Sequence, residues 1–144
     1  MLAQLLLAAL LTVVTVAIHA GCTVGILRFL AAVYVKHPLK DSVTGRLLIV
    51  SMLVLALLFV TLLEAILWSL TYLQLGVLDD AREAVYFSIV TFTTLGYGDV
   101  VPQPGWRVLA ALQAAVGIIV FGWTTALIFS VLQLIGAAAP ARER

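Results

Sequence analysis

The stretch TTLGYGDVVP, residues 93–102, holds the residues whose types and spacing could do chemistry: two threonine hydroxyls, two glycines flanking Tyr97, and the carboxylate of Asp99. Elsewhere the chain has no Ser/His/Asp set, no paired carboxylates and no phosphate-cradling loop, so nothing points to an enzyme. Its only imidazoles are His19 and His37 and its only thiol is Cys22, too few for a His/Cys metal centre. What the stretch does offer is backbone. Gly96 and Gly98 accept left-handed dihedrals, which lets successive carbonyls face one side instead of opposite sides. Thr94 can add a hydroxyl oxygen at the inner end. A run of inward oxygens suits a cation that has shed its water.

The elements that must position this run are membrane helices. Of 144 residues, 64% are hydrophobic and only 10% charged, a composition that leaves too little polar surface for a soluble domain. Residues 2–27 and 108–141 carry no charge and 47–78 carry one, Glu64. Each run exceeds the roughly 20 residues a helix needs to cross the hydrocarbon layer. The expected fold is an all-α membrane protein with crossings at 1–35, 47–75 and 105–136, a connector at 36–46 and a short tail at 137–144. A cleaved signal peptide fits the first run poorly, since no Lys or Arg precedes it and it is too long for a signal core.

Basic residues cluster in the connector (Lys36, Lys40, Arg46) and in the tail, which places both in the cytoplasm and the N-terminus outside with segment 76–105. A net charge of +1 gives no reason to expect nucleic acid or a polybasic lipid patch. One cysteine excludes an intrachain disulfide and leaves the redox compartment open.

Between the second and third crossings, Asp80 reads as a helix N-cap with Glu83 three residues on. The helix predicted at 81–93 is about 20 Å long at 1.5 Å per residue. It is too short to span, so it enters from outside and stops near the midplane, and the chain returns as TLGYGDVVP. Non-helical backbone at that depth is tolerated only where protein buries it or where it lines a polar cavity. The helix also aims its partially negative C-terminal end at that cavity.

TLGYGD resembles the selectivity filter of pore-loop potassium channels, with Leu95 where that family usually has Val. The resemblance covers residues 47–136 and implies that Thr94, Leu95, Gly96, Tyr97 and Gly98 coordinate K+ through backbone carbonyls, Thr94 through its hydroxyl as well. It also implies a homotetramer, since one chain supplies one filter strand. Tyr97 would point into an aromatic collar with Tyr86 and Phe87, and Asp99 would sit behind the outer mouth. The family's usual partners for that aspartate are missing: Val90 stands where a carboxylate is common, and Tyr86 and Phe87 where Trp is common. The Tyr86 hydroxyl is the expected substitute. The first crossing is additional to the two-helix plan and has no arginine row of a voltage sensor.

Gly117 and Gly122 match the family's inner-helix glycines and are the gating-hinge candidates, with tight helix packing the alternative at both and the preferred reading at Gly122; no Pro-X-Pro kink is present. Glu64, Trp68 and Tyr72 share a face at four-residue spacing, expected to turn toward the pore helix. There Glu64 either carries a proton, supports the filter, or bonds a neighbouring helix. His19 reads as a core residue, and Trp106 and Arg107 as interface anchors. The function expected from these residues is passive, K+-selective conduction in a membrane, most simply a bacterial plasma membrane. No cofactor is expected beyond K+ itself, and the partners are K+, lipid and three further copies. The rival readings are a non-conducting accessory subunit and a weakly selective cation channel.

Overall fold

The computed structural model describes residues 2–36 and 42–137. Expectations that fall on His37, Lys40 and the tail from residue 138 lie outside the described residues. The described residues form four α-helices and one 3-10 turn, without strands: α1 (Leu2–Lys36), α2 (Val43–Gln74), α3 (Ala81–Phe92), a turn at Pro104–Trp106 and α4 (Arg107–Ala137). α1, α2 and the turn with α4 are each long and apolar enough to cross a membrane. They expose large apolar side chains such as Leu6, Leu55, Phe59 and Ile118, as helices do whose outer solvent is lipid rather than water.

The helix ends follow from local chemistry. α2 begins at Val43, four residues before the expected Leu47, because the Ser42 hydroxyl accepts the Gly45 N–H at 3.0 Å and caps the first turn. Residues 43–46 therefore belong to the helix and not to the connector. At its other end the Gly76 N–H reaches the Leu73 carbonyl at 3.1 Å and the Val77 N–H reaches that of Tyr72 at 2.9 Å, the paired bonds of a Schellman ending. α3 starts where Asp80 Oδ1 accepts from the N–H groups of Arg82 (2.7 Å) and Glu83 (2.9 Å). It stops at Phe92, one residue short of expectation, with Thr93 as its cap. The third crossing opens with the 3-10 turn because the Trp106 N–H bonds the Gln103 carbonyl at 2.8 Å, and regular α-helix begins only at Arg107.

α3 lies between α2 and α4, and α1 packs against the outside of both. One apolar core surrounds α3 and joins Leu11, Trp68, Phe92 and Leu109; a second, at the far end, joins Leu30, Leu53, Leu57 and Ile135. The Gln4 amide donates to the Gly105 carbonyl, so the start of α1 and the start of the last crossing share one end of the bundle.

Candidate functional site

After Thr93 the chain leaves the helix in two steps. The Thr94 N–H bonds the Thr91 carbonyl at 3.0 Å, and the N–H groups of Leu95 and Gly96 both reach the Val90 carbonyl, at 3.0 and 3.2 Å. From there the backbone alternates. Thr94, Gly96 and Gly98 have φ of 60°, 55° and 78°, while Leu95 and Tyr97 between them are not left-handed. Gly96 and Gly98 were expected to adopt this conformation. Thr94 was not: a β-branched residue at positive φ is a strained exception, and its sequence identity carries no hint of it. Counting back two residues from Gly96, along the same alternation, would have found it.

The front of this loop is open. Leu95 and Tyr97 are 56% and 68% exposed on the single chain. Behind them, at the tip, the Tyr86 hydroxyl donates to Asp99 Oδ2 at 2.6 Å and the Val100 N–H donates to Oδ1 at 3.0 Å. The tyrosine bond, aided by the backbone N–H groups and opposed by partial desolvation, holds the Asp99 carboxyl below the ordinary carboxylate range. The same bond, with desolvation and the carboxylate's charge, raises the Tyr86 hydroxyl above its ordinary value. Phe87 is placed differently from expectation. It is buried, and its ring meets that of Tyr72 edge-on at 5.3 Å; it faces α2 instead of joining Tyr97 in a collar within the chain.

The back of α3 is closed by polar bonds. The Ser88 hydroxyl donates to the Ala65 carbonyl of α2 at 2.5 Å. The Gln113 amide of α4 donates to Ser88 Oγ at 2.7 Å and to its carbonyl at 3.2 Å, and accepts from the Tyr72 hydroxyl at 2.8 Å. All three side chains are fully buried, so this network ties α2, α3 and α4 together where no water competes. Gln113 and Ser88 were not singled out from sequence. The signal was an amide among apolar residues in a charge-free crossing, one of two there with Gln133.

Gly117 completes the back. A Cβ there would lie 1.9 Å from the Phe92 carbonyl oxygen, so the missing side chain is explained by the end of α3 resting on α4. Gly122, expected to pack, has nothing of its own chain within 4 Å of such a Cβ.

Glu64 does not support the loop. It is 0% exposed, and its Oε1 lies 3.1 Å from His19 Nδ1 on α1. Trp68, one turn on, donates to Thr15 of α1 at 3.1 Å. Of the three residues sharing that face, only Tyr72 reaches the α3 network, through Gln113. The face is wide enough to serve two neighbours, and α1, absent from the two-helix plan, takes its first half.

A family model described as ion channel matches residues 43–134, which run from α2 through the alternating loop into α4. The chain belongs to this ion-channel family. Neither a curated protein nor a solved structure matches it. The ion channel is thus a helical membrane protein whose matched region serves passive ion conduction, and α1 lies outside that region.

Proposed function

We propose that this ion channel is selective for K+ and conducts it through a filter formed by the carbonyls of Thr94, Leu95, Gly96, Tyr97 and Gly98 and by the Thr94 hydroxyl, four chains together closing the ring. The observation that carries the reading is the alternating φ at 94, 96 and 98. Successive peptide oxygens turned to one side can replace the hydration shell of a potassium ion, and the strain at Thr94 is what a functional oxygen array would require. The exposed Leu95 and Tyr97 fit a strand whose outer flank awaits neighbouring copies. Asp99, held by Tyr86, keeps a negative charge at the outer mouth, where it draws cations in. Gly122, open on the single chain, lies on the inner helix where another copy can approach closely. The charge pattern puts the N-terminus outside and the C-terminus in the cytoplasm, in keeping with a bacterial plasma membrane.

Purified protein in liposomes tests this through K+ and Na+ flux. Flux of K+ well above Na+ supports selectivity, equal fluxes remove it, and no flux points to an accessory subunit. Gly96→Ala isolates the filter. Nothing lies within 4 Å of the added methyl, so its effect is the left-handed backbone alone, about 1–2 kcal/mol per strand. Conduction should be lost while tetramers survive; unchanged conduction would refute the assignment.

A further inference from the structure

The seam between α1 and the rest of the bundle contains an arrangement that the conduction pathway does not use. His19 and Glu64 are both 0% exposed and, among the described residues, are the only buried imidazole and buried carboxyl. They sit within helices long and apolar enough to cross a membrane. His19 Nδ1 lies 3.1 Å from Glu64 Oε1, and its other nitrogen, Nε2, lies 3.5 Å from Thr124 Oγ1 on α4. The Trp123 ring meets the imidazole at 5.3 Å and 64°. Thr15 and Thr23 stand one turn either side of His19 on α1, both buried, and Trp68 stands one turn from Glu64 on α2. None of these neighbours is an acid or a base. Glu64 Oε2 is buried without a hydrogen-bond partner.

We propose that this pair is an intramembrane proton-binding site: one proton rests on Glu64 Oε1 and is donated to His19 Nδ1, leaving both side chains neutral. The geometry selects this form over an imidazolium beside a carboxylate. A carboxylate shares its charge between both oxygens, and Oε2 would then bring half a charge into the bilayer interior with nothing to receive it. As the carbonyl oxygen of a carboxylic acid, Oε2 needs a partner far less. A neutral imidazole that accepts at Nδ1 must carry its own proton at Nε2, and Thr124 Oγ1 is the acceptor on that side. The bound proton then closes a chain from Glu64 on α2, through His19 on α1, to Thr124 on α4. In this way α1 is pinned to both helices that flank α3, one of them the inner helix of the last crossing.

Two spectroscopic readings on the full chain in liposomes test the site, and neither depends on ion flux, so they stand or fall apart from the K+ reading. At neutral pH the infrared spectrum should contain the carbonyl stretch of a protonated carboxylic acid, sensitive to deuterium exchange and lost in Glu64→Gln. Nitrogen NMR, with His37→Gln removing the second histidine, should show His19 with a bare, hydrogen-bonded Nδ1 and a protonated Nε2. This second reading keeps the native Glu64 and decides the matter if the Gln variant does not fold. Absence of the acid band, or a histidine protonated at both nitrogens, overturns the proposal.

Discussion

The two sides of α3 are built on opposite plans. Its back is completed within one chain: Ser88, Gln113 and Tyr72 exchange buried hydrogen bonds, and Gly117 lets the Phe92 carbonyl rest directly on α4. Its front is left open, with Leu95, Tyr97 and the strained Thr94 exposed and one bond between two side chains, Tyr86 to Asp99, at the tip. Strain at Thr94 persists only if something else over-determines the loop, and the closed back is what does so. With the loop as the proposed filter, stability and the passage of ions are therefore separable. Changes behind α3 should damage the fold, whereas changes in front should alter conduction and leave the fold intact.

The sharpest way to break this contrast is Gly117→Ala. Its methyl would meet a backbone oxygen at 1.9 Å, an atom that cannot rotate away, so α4 must move off α3. Overpacking of side chains costs about 1–3 kcal/mol; a clash with fixed backbone belongs at or above the top of that range. The expected result is loss of folded protein on detergent size-exclusion chromatography. Gly122→Ala is the control. It meets nothing of its own chain within 4 Å, and helix propensity alone favours Ala by about 1 kcal/mol. If both variants fold equally well, the back is not the rigid side.

Next in size is Gln113→Leu, which leaves the Tyr72 hydroxyl without its acceptor and Ser88 without its donor. The orphaned Tyr72 hydroxyl costs about 1–3 kcal/mol, while the Ser88 hydroxyl keeps its bond to the Ala65 carbonyl. Adding Tyr72→Phe should restore part of the loss, because the hydroxyl left unpaired is then gone, and thermal melting of the single and double variants would measure that coupling. Strict additivity would show that the network does not act as a unit.

These positions also mark where the sequence was legible. Runs with at most one charge, long enough to span, announced three crossings, and Asp80 with a half-length helix announced α3, because both signals are local. The alternating glycines announced the loop for the same reason. The remainder depended on which face each helix shows to which neighbour. Four-residue spacing put Glu64, Trp68 and Tyr72 together but could not say that α1 would claim the first two. Nor could it say that Phe87 would turn to Tyr72 instead of Tyr97. Gly117 was readable as a glycine with a purpose, while the oxygen 25 residues earlier that requires it became visible only in three dimensions.

The smallest effect belongs to the front. Tyr86→Phe removes one hydroxyl at an exposed position, so the fold should be unchanged, and the consequence is confined to Asp99. In the native chain that carboxyl lies below the ordinary carboxylate range chiefly because the hydroxyl donates to its charged form. A group depressed in this way lends its stabilisation above its unfolded value, and loses it as the pH falls through the lowered one. The native mouth should thus keep its negative charge on acidification to below about pH 4, the region of an unperturbed aspartate. The Phe variant should lose that charge earlier. The return toward the ordinary value should be incomplete, since the Val100 N–H still donates to Oδ1. Carbon NMR titration of labelled aspartate, assigned with Asp99→Asn, reads the midpoint directly, and on acidification to about pH 4 and below K+ flux should fall sooner in the variant. An unmoved midpoint would mean that the 2.6 Å bond does not hold the charge at the mouth, and the front would then be open at its tip as well.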